Sequence, residues 1–108
     1  MDGTYVFKYV EYRNGDDVKT TDCLDISSLP IKIQTICDVK NLKITIDDNY
    51  YTFSMRKDHL ETGYYKLEGE KMYLSSKEDG EYKYTGWLNY RDSKIYYGIN
   101  QTYIVLDN

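Results

Sequence analysis

The stretch Leu42-Lys43-Ile44-Thr45-Ile46-Asp47-Asp48-Asn49-Tyr50-Tyr51-Thr52-Phe53-Ser54-Met55 decides the fold. Leu42, Ile44 and Ile46 alternate with Lys43 and Thr45, a period of two that fits a strand with one buried face. Asp47-Asp48-Asn49 then supplies turn residues, and Tyr51, Phe53 and Met55 resume the alternation opposite Tyr50, Thr52 and Ser54. Two such runs joined by a tight turn are an antiparallel hairpin.

The same pattern continues to the end of the chain. Lys57-Asp58-His59 leads out of the second strand, and Tyr65 with Leu67, a Glu68-Gly69 turn, and Met72 with Leu74 make the next hairpin. Lys77-Glu78-Asp79-Gly80 is a further turn, because Asp-Gly readily takes up the left-handed conformation that hairpins need. Gly80 to Leu88, GEYKYTGWL, reads as a strand with Tyr82 and Tyr84 facing inward. Arg91-Asp92-Ser93 turns into Ile95 and Tyr97, and Gly98 to Asn100 turns into Thr102, Ile104 and Leu106. Upstream, Gly3 to Arg13 forms a first strand ended by Asn14-Gly15. Between it and the meander, Ser28 and Pro30 resemble a helix start, and Leu29, Ile33, Ile36 and Cys37 share one helical face. Ile31 and Ile33 also alternate as in a strand, so both readings stand for that segment.

These runs add up to eight strands joined by short hairpins. Eight antiparallel strands in up-and-down order can close on themselves and leave no edge to template aggregation. The expected fold is therefore all-β: an eight-stranded up-and-down antiparallel barrel with one short helix after the first strand, forming a single domain over residues 1–108.

With this pattern in view, the chain resembles the lipocalin-like, or calycin, small barrels. Gly3-Thr4-Tyr5 stands where that group carries Gly-x-Trp near the start of its first strand, with an aromatic ring plugging one end of the barrel. The short helix and the run of hairpins are similar as well. The resemblance implies a small hydrophobic molecule held in the barrel mouth.

Composition narrows the remaining classes. A net charge of -4 argues against broad attraction to nucleic acid phosphates or anionic membranes, so neither is expected as a partner. Tyr82-Lys83-Tyr84 and Tyr64-Tyr65-Lys66 interleave rings with cations, but adjacent strand residues point to opposite faces and do not share a binding surface. His59 is the only histidine and sits in no nucleophile or metal motif, so no enzyme activity, cofactor or metal is expected. Asp16-Asp17, Asp47-Asp48 and Glu78-Asp79 lie at or beside turns, where carboxylates are solvated and cap amides. No apolar run is long enough for a membrane helix, and the first residues lack the two regions of a signal peptide. The chain as it stands reads as cytoplasmic, and as secreted if Met1 replaces a removed leader. Cys23 and Cys37, if bridged, would staple the segment before the meander.

Fourteen tyrosines against two phenylalanines and one tryptophan make the interior aromatic, with hydroxyls that need partners wherever they are buried. The inward candidates for a ligand pocket are Tyr5, Phe7, Tyr9, Tyr51, Phe53, Tyr65, Tyr82, Tyr84 and Tyr97. Trp87 falls on the opposite parity to Tyr82 and Tyr84, so it faces solvent in regular register or joins the interior if Gly86 makes a bulge. The leading expectation is a non-catalytic protein holding a small hydrophobic or aromatic ligand. The alternative is a small acidic interaction or inhibitor protein, of the kind phages and viruses use. It would dock through an exposed surface carrying Tyr12, Tyr64, Tyr73, Trp87 and Tyr103.

Overall fold

The computed structural model describes residues 1–56 and 59–108. Its elements in chain order are β1 (Gly3–Asn14), β2 (Asp17–Thr21), a 3₁₀ turn (Ile26–Ser28), α1 (Ile31–Cys37), β3 (Lys43–Asp47) and β4 (Tyr50–Arg56). They are followed by β5 (His59–Glu68), β6 (Lys71–Ser75), β7 (Leu88–Arg91), β8 (Lys94–Ile99) and β9 (Thr102–Asp107). From β3 to β9 each strand pairs antiparallel with the next, and β1 pairs with both β3 and β9. The result is a closed eight-stranded up-and-down barrel. β2 is an additional strand that pairs with the second half of β1. Its sequence, DVKTT, carries one strongly apolar residue, so no alternation marked it.

The hairpin at 42–55 forms in the expected register, with Ile44 opposite Phe53 and Ile46 opposite Tyr51. All four are buried. Its turn places Asp48 at φ 57, and the amide of Asp48 donates to Oδ1 of Asp2 at 3.0 Å. Asp92 and Ser93 both have positive φ, as a two-residue hairpin turn between β7 and β8 requires. The turn expected at Lys57-Asp58-His59 falls largely on residues 57 and 58, outside the described residues.

β1 departs from the simple alternation. Tyr5 pairs with Ile44 and Phe7 with Leu106, both on the inner face, and the register then slips so that Val10 pairs with Ile104. The extra residue turns Tyr9 outward and brings Val10 and Tyr12 inward, at 0% and 7% exposure. Two expectations are thereby corrected: Tyr9 is not an interior ring, and Tyr12 is a core residue rather than part of an exposed surface.

The second departure is the stretch Gly80–Trp87. It was expected as a strand, yet only Lys83 bridges, to Leu74, and the strand β7 begins at Leu88. Because residues opposite each other share a face, Lys83 lies on the parity of Leu74, and Tyr82 and Tyr84 turn to the outer surface. There the Tyr84 ring packs 5.6 Å from that of Tyr73, and the Nζ of Lys66 sits 4.2 Å from the ring centre of Tyr82. These ring and cation–π contacts hold the loop against the outside of β5 and β6.

The two ends of the barrel differ. At one end Tyr5 is 2% exposed, its hydroxyl donates to the Met1 carbonyl at 3.0 Å, and its ring meets Tyr90 edge-on. The amide of the Asn108 side chain donates to the Asp2 carbonyl, so both termini cover this end. At the other end lies α1, which begins after Pro30 and buries Ile33 and Cys37, with Leu29 and Ile36 packed against the core. A disulfide joins Cys23 to Cys37, with Cα atoms 5.7 Å apart and a sequence separation of 14.

That covalent loop restrains the unfolded chain and fixes the connector across the barrel end. Replacing both cysteines by serine should lower stability by about 3 kcal/mol in a denaturant titration. A loss well under about 1 kcal/mol would show that the disulfide does not restrain the fold.

Candidate functional site

The site grows out of the weakest seam in the barrel. β6 and β7 share one paired position, Lys71 opposite Asn89, supplemented by the Tyr90 amide donating to the Glu70 carbonyl at 2.7 Å. Past Ser75 the chain leaves the wall, touches its edge again at one position, where Lys83 and Leu74 exchange backbone hydrogen bonds at 2.9 Å, and resumes as a strand at Leu88. Gly86, at φ 90, makes the sharp change of direction that a residue with a side chain rarely adopts. The wall therefore opens between β6 and β7 at the helix-bearing end, and a cavity of about 260 Å³ lies there.

Its lining residues are Tyr51, Phe53, Met55, Glu61, Leu74, Thr85, Trp87, Leu88 and Tyr97. Tyr97 is the central ring: Phe53 lies 5.6 Å away at 45°, and Trp87 lies 6.4 Å away at 85°. Trp87 is 49% exposed, so it forms the rim of the cavity. The break at Gly86 is therefore present, but it makes Trp87 a half-open wall and leaves it without Tyr82 and Tyr84 as interior neighbours.

Glu61 is the charged residue among the described residues of the lining. It stands opposite Phe53 in the β4–β5 ladder and so shares the inner face, on the same parity as Gly63, Tyr65 and Leu67. The Tyr51 hydroxyl donates to Glu61 Oε1 at 3.2 Å. Gly63 makes this contact possible: a Cβ there would lie 2.6 Å from the Ser75 carbonyl and 2.9 Å from the Tyr51 ring. The space a side chain would fill is taken by the tyrosine. Burial first, then the negative charge of Glu61 and its hydrogen bond, push the Tyr51 phenol up to about 12. Tyr97 is raised as well, by burial and by the same charge.

The structure distributes the sequence-derived pocket residues widely. Tyr51, Phe53, Trp87 and Tyr97 meet at the cavity. Tyr5 and Tyr65 lie toward the closed end, where Tyr5 packs on Tyr90. Phe7 lines a separate open groove of about 540 Å³ between Val6, Lys40, Lys43 and Ser54, which holds no second ring. Tyr9, Tyr82 and Tyr84 are outside. Among the surface candidates, Tyr64 packs edge-on against Tyr50, Tyr103 edge-on against Tyr96, and Tyr73 at a tilt of 37° against Tyr84, so these rings tile the outer wall in pairs. The lining also takes in Glu61, Met55, Leu74, Thr85 and Leu88, which alternation alone does not mark as pocket residues; for Glu61 the signal is an acid on the apolar parity of Tyr65 and Leu67.

Among the described residues, no three His, Cys, Asp or Glu side chains gather closely enough to hold a metal ion. No helix in the described residues is long and apolar enough to cross a membrane. Compared with protein-family models, with curated proteins and with solved structures, the chain shows no significant match.

The alkaline behaviour of Tyr51 checks this geometry. Its folded phenol ionises near 12 and a free one near 10, so the site stabilises the fold fully below pH about 10 and loses that contribution as pH rises toward 12. In a phenolate absorbance titration, Tyr51→Phe should remove one tyrosine from the late step. Removal from the early step near pH 10 would contradict the burial of the Tyr51 ring beside Glu61.

Proposed function

We propose that this protein is a non-catalytic, lipocalin-like binding barrel that holds a small aromatic or hydrophobic molecule at its open end. The observation that carries the reading is the meeting of Phe53, Tyr97 and Trp87 around one cavity, with Trp87 left half in water. An exposed indole is a site where apolar surface remains to be buried, and a flat ligand laid against it gains the contact that solvent does not supply. At about 260 Å³ the cavity is below the roughly 300–1,000 Å³ common for drug-sized ligands, so the occupant has one or two rings.

The remainder of the barrel favours binding over a flexible interior. Tyr5, Ile44, Met72, Ile95 and Leu106 are each at most 2% exposed and fill the barrel toward the closed end. They form a rigid floor beneath the cavity. The Cys23–Cys37 disulfide and α1 hold the other side of the mouth, where Ile36 and Val39 face Tyr97 across a second apolar groove. The walls are thus largely set before a ligand arrives, which lowers the ordering cost of binding.

Isothermal titration calorimetry with naphthylmethanol, a neutral ligand of two rings, tests the reading. Saturable binding with one site is expected. Thr85→Trp, which fills the cavity from its exposed rim without touching the core, should reduce affinity at least tenfold while leaving the thermal midpoint nearly unchanged. Unsaturable heats, or equal binding by the filled variant, would refute a ligand site at this mouth.

A further inference from the structure

The mouth cavity contains a feature that a purely apolar site does not need. Glu61 lies on the inner face of β5 and lines the cavity beside the rings of Tyr51, Phe53, Trp87 and Tyr97. A carboxylate in an aromatic lining weakens the binding of a neutral apolar ligand, because part of its hydration must be removed. Its hydrogen-bond partner, the Tyr51 hydroxyl, is neutral and occupies one position on Oε1. A carboxylate offers about four lone-pair sites, so acceptor capacity remains for a ligand.

The rings point to the same chemistry. Phe53, Tyr97 and Trp87 meet at 45° and 85°, so their faces look in different directions around one volume. A flat ligand resting against one ring leaves the face of another open to a cation, and aromatic faces attract cations within about 6 Å. The charge of Glu61 already reaches two of the walls, since it raises both Tyr51 and Tyr97. A cation in the cavity would meet the carboxylate and the negative faces of the rings together.

We infer that the ligand of the mouth cavity is an aromatic amine in its ammonium form, with its cation held between the Glu61 carboxylate and the Tyr97 and Trp87 rings. This inference rests on the proposed binding function and specifies its ligand class. The net charge of -4 acts in the same direction, drawing cations toward the protein and disfavouring anionic ligands of the same shape.

Three naphthalene ligands of matched size separate the inference from the reading beneath it: naphthylmethylammonium, naphthylmethanol and naphthoate, each titrated calorimetrically into the wild type, Glu61→Gln and Thr85→Trp. The expected result is an ammonium preference over the alcohol of about tenfold in the wild type, a combined carboxylate and cation–π contribution. Naphthoate should be the weakest of the three. Glu61→Gln should bring the ammonium to within about twofold of the alcohol, which itself binds no more weakly than to the wild type once the charge is gone, and the variant's thermal melt should show it folded. Thr85→Trp should weaken all three. If the alcohol binds and the ammonium binds no tighter, or if the preference survives in Glu61→Gln, the cation inference is overturned and the binding site stands. If the ammonium binds Thr85→Trp as well as the wild type, its site is elsewhere and the inference is likewise overturned. If none of the three binds the wild type, the binding function and the inference both fail.

Discussion

β1, twelve residues long, pairs with three partners, and the slip between Phe7 and Tyr9 in its pairing with β9 decides which of its side chains enter the barrel. On one edge it meets β9 throughout the closure. Along the other it meets β3 through Val6 and β2 from Val10 onward. Before the slip, Tyr5 and Phe7 face inward and belong to the closed end; after it, Val10 and Tyr12 face inward and carry the core toward α1. Without the slip, Tyr9 would replace Val10 inside, and the bulky ring would compete with Ile104 and Ile33 for space in an interior that eight strands leave only just wide enough for side chains. The slip also frees Tyr9 to cover Val105 and Tyr96 on the outer wall, where Val105 is fully buried despite lying outside the barrel.

Closure at β1–β9 has a counterpart at β6–β7. A barrel can have one poorly paired seam without opening when the remaining seams are long, and here that seam is placed beside the aromatic cluster. The loop that leaves the wall after Ser75 is fastened by the Lys83–Leu74 bridge and, on the outer face, by Tyr82 on Lys66 and Tyr84 on Tyr73, which keeps Trp87 at the rim. The features that look like imperfections of the fold, the short β7, the positive φ of Gly86 and the half-exposed indole, are together what makes a cavity in an otherwise filled barrel. Gly63 acts in the opposite direction, letting the Tyr51 ring lie close to the β5–β6 backbone so that its hydroxyl reaches Glu61.

The architecture was largely legible in the sequence because most strands show one apolar and one polar parity. Leu42 to Ile46 and Tyr51 to Met55 leave no choice of face, and Pro30 with Ile33 and Cys37 marks the helix. The site was less legible, for two physical reasons. In β1 both parities are apolar, Tyr5, Phe7 and Tyr9 against Val6, Val10 and Tyr12, so alternation could not locate the slip. In Gly80–Leu88 the tyrosines alternate as in a strand although their rings are held by contacts with Lys66 and Tyr73, which lie on other strands and leave no local signal. Glu61 was readable in principle, as an acid in phase with Tyr65 and Leu67, but its value depends on Phe53, Tyr97 and Trp87 arriving from three other parts of the chain.

The proposed function needs one closed end and one open, ring-lined end that accepts a ligand. Amide and indole NMR spectra recorded with and without saturating naphthylmethanol test it most directly. The largest shifts should fall on the Trp87 indole and on the amides of Leu74, Thr85 and Tyr97, with the amides around Tyr5 and Asn108 unmoved. Shifts centred on the outer rings Tyr96 and Tyr103, or an unchanged Trp87 indole at saturation, would contradict it.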